Sequence, residues 1–313
     1  MTGRNFSMML KTYAGDLAYA QRLISSFHLH NVDGIHLFCV IPDLDQHLFT
    51  AMTSETVTVL TEESFKEYFT SEEVHGIRPG YINQEIVKLA FWELDLAENY
   101  FCIDSEAVFI RDFGLSDFIS SDGFPYSVLV EDRELLVEPE YFHQYWRSRE
   151  KNHRTIATAL SWQDPIIRTC HGHQIFSSIV LQDFKEHFLE PRGWTYLDAL
   201  KVSPYEFTWY SLWLQSRNLI PIHQREPLVK VFHNMSQHME YVLRGITIED
   251  VARGYLAVLI NSNFSRDLGV FEFGEPKAQA LAHYLNYADL ARLSRAKFHS
   301  TFTRMKSKIQ VSQ

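Results

Sequence analysis

Cysteine and long apolar runs are both scarce in this chain of 313 residues. The three cysteines, Cys39, Cys102 and Cys170, are scattered and odd in number. They indicate no disulfide framework, so buried thiols in a reducing compartment are the simplest account. No stretch approaches the roughly 20 consecutive apolar residues that a membrane helix needs. We therefore expect a cytoplasmic protein without a transmembrane segment, for which peripheral contact with a membrane stays open.

Positive charge is also in short supply. Lysine and arginine number 29 against 39 acidic residues, which leaves a net charge of −10. A surface that binds nucleic acid needs clustered basic side chains against the phosphates, so we expect no nucleic-acid partner. An anionic ligand of smaller size would need a local site of its own.

Aromatic residues, in contrast, are plentiful. The chain contains 23 Phe, 15 Tyr and 6 Trp, and 46% of all residues are hydrophobic. That content is ample for the core of one large α/β domain, where most of these rings are expected. Any surplus would suit stacking on a base or a sugar.

Strand and helix patterns alternate through the first part of the chain. A strand over Ser7–Thr12 is followed by a helix over Leu17–His30, and two more strands are predicted at Gly34–Ile41 and Val57–Leu60. Asp16 stands where it could cap the first helix. This alternation predicts a mainly parallel sheet flanked by helices, with ligands at the carboxyl ends of the strands.

The stretch from Tyr81 to Phe113 combines an amphipathic helix with a buried strand. The strand Tyr100–Ile103 is a dense apolar run, and Asp104 and Glu106 follow directly. Two positions apart in extended backbone, these carboxylates project to one side, so they could share Mn²⁺ or Mg²⁺ with a diphosphate. The plainer alternative is two surface acids at a strand end.

Four further residues are candidates. Lys88, on the preceding helix, either reaches an anionic group or is an ordinary surface lysine, and Gln84 lies on the same helix. Glu206 lies among aromatic residues and could act as a general base or contact an acceptor hydroxyl, or else simply favour a helix N-terminus. His233, at the end of an apolar strand, could complete a cation's ligand set, contact phosphate or be structural.

Cys170, His171 and His173 have a spacing found in metal sites. A zinc site would need further ligands, and no CxxC pair accompanies them. Later in the chain we predict one helix over Ile248–Leu259 and a long one over roughly Pro276–Lys308.

These segments together resemble GT-A-fold glycosyltransferases. Gly80–Leu89 followed by Tyr100–Glu106 is similar to the helix, strand and DxD arrangement of that fold, and in particular to an uncharacterised bacterial group with a later SEYE segment. Here that later segment is Ser203–Glu206, and the segment that the group places near the acceptor is similar to His173–Ser177. Two departures stand out, because Glu106 replaces the usual second Asp and Pro204 replaces the Glu of SEYE.

The resemblance implies a GT-A-like, Rossmann-like domain over residues 1–265 and a C-terminal helical extension over 266–313. It implies that Thr12, Tyr13 and Asp16 surround the nucleotide and that the acids Asp104 and Glu106 bind the metal. The implied function is a metal-dependent glycosyltransferase that moves a sugar from a nucleotide-sugar donor to a glycan, lipid-linked or small hydroxyl acceptor. A nucleotidyltransferase and a nucleotide- or glycan-binding protein without turnover remain as alternatives.

Overall fold

The computed structural model describes residues 6–130, 135–136, 139–163, 173–234, 237, 241 and 244–261. The chain divides into two compact units. The first comprises Met1–Lys230 with Tyr255–Leu259, and the second Val231–Gly254 with Ile260–Gln313. The predicted helical extension over 266–313 lies outside the described residues, as does the long helix predicted within it.

A five-stranded mixed sheet forms the centre of the first unit. Its order is β3-β2-β1-β4-β7, with neighbours parallel except β7, which runs antiparallel to β4. The strands are β1 (Phe6–Lys11), β2 (His36–Ile41), β3 (Val57–Thr61), β4 (Asn99–Ile103) and β7 (Ile175–Ser177). The predicted α/β class with a mainly parallel sheet is confirmed.

The sheet forms where the sequence is apolar on both faces of a strand. Every residue of β4 is buried, and β1 is buried except at Lys11. Parallel strands covered by helices on both sides require such runs, since neither face meets water. In register, Met9 of β1 pairs with Phe38 of β2 and Cys102 of β4.

Helices with one apolar face cover this sheet. The helix α1 (Leu17–His30) has the bounds predicted for it, and α3 (Pro79–Ala90) buries Ile82, Ile86 and Leu89. Asp16 stands at the N-cap of α1 but makes no side-chain capping bond. The other helices of the first unit are α2 (Gln46–Phe49), α4 (Pro139–Ala159), α5 (Ser178–Phe184), α6 (Tyr196–Val202) and α7 (Glu206–Arg217).

The strand order reverses between β1 and β4. The chain runs outward from β1 to β2 and β3, and then returns to place β4 on the other side of β1. At such a reversal the connections leave the two carboxyl ends in opposite directions and open a crevice between them. Residues that follow β1 and β4 therefore border the same crevice.

The remaining strands in the described ranges form two smaller sheets. One has the order β5-β10-β9, from β5 (Ala107–Phe109), β9 (Val229–Phe232) and β10 (Ala257–Ile260), and the other pairs β6 (Tyr126–Val128) with β8 (His223–Arg225). The predicted helix over Ile248–Leu259 is wrong. The helix α8 (Ile248–Ala252) ends just before a turn through Gly254, and Ala257–Ile260 pairs antiparallel with β5 because this apolar run is buried as a strand.

Aromatic side chains fill much of the core, as expected. Trp209 and Phe176 are fully buried, and the rings of Phe184 and Phe188 stack 5.4 Å apart between centroids. Among the described ranges, no helix has the length and hydropathy required to cross a membrane.

Truncating the core face of α3 should destabilise the first unit. Ile86 is fully buried, so Ile86→Ala removes apolar contacts and leaves a cavity, at a cost of about 2–5 kcal/mol in the free energy of unfolding. The control Leu29→Ala removes a side chain that is 74% exposed, and should change it by less than about 0.5 kcal/mol. Urea denaturation measures both, and equal effects would contradict the packing described for α3.

Candidate functional site

Asp104 is the first residue after β4 and borders the crevice. Its Oδ1 lies 3.5 Å from Nζ of Lys88, and its Oδ2 lies 3.5 Å from Nε2 of His173. The Asp104 side chain is 31% exposed, whereas those of Lys88 and His173 are 5% and 3% exposed. Asp104 is thus the member of this group that a ligand can reach.

Lys88 is a buried residue, so the alternative of an ordinary surface lysine is wrong. Its ammonium lies 3.0 Å from Oε1 of Glu206 and 3.9 Å from Oε1 of Glu85, and it sits 4.8 Å from the centre of the Phe207 ring. The fold therefore brings together three residues predicted from sequence, Lys88, Asp104 and Glu206. They come from α3, the end of β4 and the first turn of α7.

Mutual attraction keeps the central pair charged. Burial by itself lowers the pKa of Lys88, but the carboxylates of Asp104 and Glu85 together outweigh it and hold that pKa above its ordinary value. Burial likewise opposes ionisation of Asp104, yet Lys88 and His173 hold its pKa below the usual range. At neutral pH the site therefore holds an ammonium and an ionised carboxylate in contact.

Glu85 belongs to the same cluster and was missed from the sequence. Its side chain is 1% exposed, and neither carboxylate oxygen accepts a hydrogen bond of ordinary geometry within the described residues, although the hydroxyl of Tyr81 acts on the carboxylate and lowers its pKa. Burial raises the pKa of Glu85 to about 7, although Lys88 partly offsets the effect. The available signal was spacing, because residues three apart on a helix share a face, and Glu85 stands three before Lys88.

His173 faces Asp104 from the segment that leads into β7. Its backbone is left-handed, with φ of 70°, a conformation that a residue with a side chain rarely adopts. Both ring nitrogens lack hydrogen-bond partners among the described residues, and burial lowers the pKa of the ring. Cys170 and His171, the other members of the possible zinc motif, lie outside the described residues.

Arg149 of α4 is a second cation near this cluster and was also missed. It is 8% exposed, and its guanidinium lies 5.0 Å from the ring centre of Tyr145 and 5.1 Å from that of Tyr205. Its charge lowers the pKa of Glu85 to a small extent. A helix more than forty residues beyond Asp104 in the chain thus adds to the electrostatics of the site.

The residues after β1 form the other side of the crevice. Thr12 donates its backbone N–H to Val40 O at 3.1 Å, and its hydroxyl is buried. Tyr13 is exposed. Ser105 Oγ lies 3.4 Å from Asp16 Oδ2 and 3.5 Å from Glu106 Oε2, which places Asp16 beside the acids that follow β4.

Two predicted residues have no contact that assigns them a role. Gln84 is half-buried on α3, directly before Glu85. His233 follows β9 in the second unit, where its backbone N–H donates to Gln237 Oε1 at 2.9 Å. Their roles in a site stay predictions.

Asp104 and Glu106 lie in a tight turn, closed by a hydrogen bond from the Ala107 N–H to Asp104 O at 3.0 Å, so the extended backbone expected between them is wrong. Their side chains are still of the type that suits a hard cation. Carboxylate oxygens are the ligands that Mg²⁺ and Mn²⁺ prefer, and a site completed by substrate phosphates needs only one or two of them. The lowered pKa of Asp104 means that its carboxylate is ionised and available. Within the described ranges, no group of three or more His, Cys, Asp or Glu side chains is arranged to hold a metal by itself.

Comparison with known proteins identifies the family. The sequence profile described as "Family of unknown function (DUF6492)" matches residues 6–242, which include every site residue above. The chain belongs to the DUF6492 family. None of the curated proteins matches this DUF6492 member in sequence.

Solved structures whose backbones are similar to this one include mouse xyloside xylosyltransferase 1 in its apo form. It is 12% identical, with a TM-score of 0.46 over 84% of this chain and 100% of that one. The bifunctional glycosyltransferase WbbM in its apo form is also 12% identical, with a TM-score of 0.45 over 83% of this chain and 46% of that one. Similarity at this level leaves the chemistry of the DUF6492 member to its own residues.

The charge of Glu85 should make stability depend on pH. Its pKa of about 7 lies above the ordinary 4.5, so its contribution to stability is complete below about pH 4.5 and is lost as the pH rises through 7. Glu85→Gln keeps the shape without the charge, and should gain up to about 3 kcal/mol over the wild type between pH 5 and pH 8. Urea denaturation at both pH values measures this gain. The exposed Glu67→Gln is the control, and an equal gain there would refute the assignment.

Removing the ammonium should be costly. Lys88→Met leaves Glu206 and Asp104 without their cation, which for a buried pair costs about 3–5 kcal/mol in the free energy of unfolding. Adding Glu206→Gln should recover part of that loss, as a double-mutant cycle would show. The control Lys201→Met affects a lysine whose side chain is 55% exposed, and should cost less than about 1 kcal/mol. Strict additivity would contradict the pairing.

Proposed function

We propose that this DUF6492 member is a glycosyltransferase that takes its sugar from a nucleotide-sugar donor. The observation that carries the proposal is the buried Lys88, Asp104 and Glu206 cluster at the carboxyl end of β4. This cluster lies where the strand order reverses, near Asp16 at the N-cap of α1, and open α/β sheets bind nucleotides at that position. Thr12, Tyr13 and Asp16 would border the nucleotide.

Unsatisfied polar groups favour a ligand rich in hydroxyls. Both oxygens of Glu85, both ring nitrogens of His173 and the hydroxyl of Thr12 are buried without hydrogen-bond partners among the described residues. Buried polar atoms are normally paired, because leaving one unpaired costs about 1–3 kcal/mol. A sugar supplies both donors and acceptors, which such a group of side chains requires.

Charge favours a divalent cation with the donor. Asp104, Glu106 and Asp16 lie around the crevice, and Glu85 and Glu206 are buried beside Lys88. The cations that we find there in the described ranges are Lys88, Arg149 and Lys11, and Lys11 is paired with Glu62 at 2.7 Å. A diphosphate alone would be repelled by this excess of acid. Mn²⁺ or Mg²⁺ held by Asp104 and Glu106 would neutralise charge on the departing diphosphate.

In the proposed reaction, the bond between the anomeric carbon and the diphosphate oxygen breaks. The electron pair leaves with the nucleoside diphosphate, and the oxygen of the acceptor hydroxyl forms the new bond to the anomeric carbon. That hydroxyl loses its proton, for which Glu206 is the predicted base. Because Glu206 Oε1 accepts a hydrogen bond from Lys88 at 3.0 Å, its contacts favour a further role in holding Lys88 against Asp104. The acceptor is a hydroxyl of a glycan, a lipid-linked sugar or a small molecule.

Nucleotide binding tests the proposal. Calorimetric titration with UDP-, GDP- and dTDP-sugars in the presence of Mn²⁺ should detect binding, and EDTA should abolish it. Asp104→Asn should weaken binding by about 100-fold, as expected when a charged ligand of the cation is lost. The matched control Asp112→Asn changes a side chain that is 72% exposed and should bind normally.

Release of free sugar in long incubations then separates the alternatives. Slow hydrolysis of the donor supports transfer, whereas binding without turnover indicates a nucleotide- or glycan-binding protein. If no nucleotide sugar binds, or if Asp104→Asn binds as the wild type does, the proposal fails.

A further inference from the structure

The ammonium of Lys88 is surrounded by more negative charge than it can neutralise. Three carboxylates have an oxygen within 4 Å of its Nζ, at 3.0 Å for Glu206, 3.5 Å for Asp104 and 3.9 Å for Glu85. Of these, Glu85 and Glu206 are almost fully buried. Lys88 is therefore already committed to side chains of the protein, and offers no free charge to an acidic ligand.

The neighbouring groups do not reverse this balance. Arg149, whose guanidinium lies 5.0 Å and 5.1 Å from the ring centres of Tyr145 and Tyr205, adds one positive charge, so two cations face the three carboxylates around Lys88. The ring of His173, on the other side of Asp104, is 3% exposed, with its Nε2 3.5 Å from Asp104 Oδ2. The surroundings of Asp104 thus stay acidic on the side of α3 and α7.

Hydrogen bonding leads to the same result as charge. The two oxygens of Glu85 accept no hydrogen bond of ordinary geometry among the described residues, and the side-chain donor that acts on them is the hydroxyl of Tyr81. An ionised carboxylate can only accept hydrogen bonds, so it is satisfied by a hydroxyl or an amino group and never by a second carboxylate. A site with unpaired buried acceptors discriminates strongly against a ligand that has no hydrogen-bond donor for them.

We propose that the sugar bound beside Lys88 is uncharged or carries an amino group, and that Glu85 excludes uronic acids and other acidic sugars. This inference rests on the proposed function, since it assigns the donor sugar to the cluster of Lys88, Asp104 and Glu206. An acidic sugar would place its carboxylate near Asp104 and Glu85 where little water screens the repulsion. Glu85 is thus a specificity residue that acts chiefly against the wrong substrate.

Matched donors that differ only at one carbon test the inference. The pairs are UDP-glucose with UDP-glucuronate, UDP-galactose with UDP-galacturonate, and GDP-mannose with GDP-mannuronate, each titrated with Mn²⁺ at mildly alkaline pH. For the pair with the correct nucleotide, the neutral sugar should bind at least about 30-fold more tightly than its acid, a difference near 2 kcal/mol. Glu85→Gln should reduce that ratio by about tenfold, mainly through tighter binding of the acid.

Glu67→Gln is the matched control, because it removes an exposed carboxylate from the same unit and should leave the ratio unchanged. If the acid binds as well as its neutral partner, the inference is wrong while the proposed function stands. If the ratio is large but Glu85→Gln leaves it unchanged, Glu85 is not the residue responsible and the inference also fails. If no donor of any pair binds, the proposed function itself fails.

Discussion

The candidate site depends on one buried interaction, the contact of the Lys88 ammonium with the carboxylates around it. An ammonium removed from water is costly unless it is paired, and here Glu206 and Asp104 supply that pairing at 3.0 and 3.5 Å. The contact links α3, the end of β4 and α7 through the ion pairs of Lys88 with Asp104 and Glu206. Asp104 is kept ionised as a result, with its side chain still partly open to the crevice.

The unpaired polar atoms buried around Lys88 lower the stability of the fold, and the same atoms are suited to binding a ligand. Glu85 and His173 are buried with polar atoms that find no partner among the described residues, and His173 adopts a left-handed backbone. Such features lower stability and persist where function requires them. A hydroxyl-rich ligand, as proposed, would supply hydrogen bonds to these groups. Both the proposed need for a cation and the proposed exclusion of acidic sugars depend on the same carboxylates around Lys88.

Local pattern was sufficient for the elements that carry their own signal. The bounds of α1 and the positions of β1, β2, β3 and β4 follow from apolar spacing, because strands buried on both faces and amphipathic helices differ in period. The pattern failed at Ile248–Leu259, where a short apolar run can be buried as helix or strand. There the antiparallel pairing with Ala107–Phe109 determines the outcome, and such pairing is invisible along the chain.

By itself, the sequence determined the class of fold, the strand that ends at Asp104 and the excess of negative charge. Each of these depends on composition or on neighbours a few residues apart. Only the tertiary structure decided that Lys88 is buried, that Glu206 is its partner 118 residues away, and that Glu85 and Arg149 belong to the same cluster. The charge state and the role of a side chain depend on the groups around it in the folded protein. Those groups come from segments far apart in the sequence, and the sequence pattern does not show that such segments are in contact.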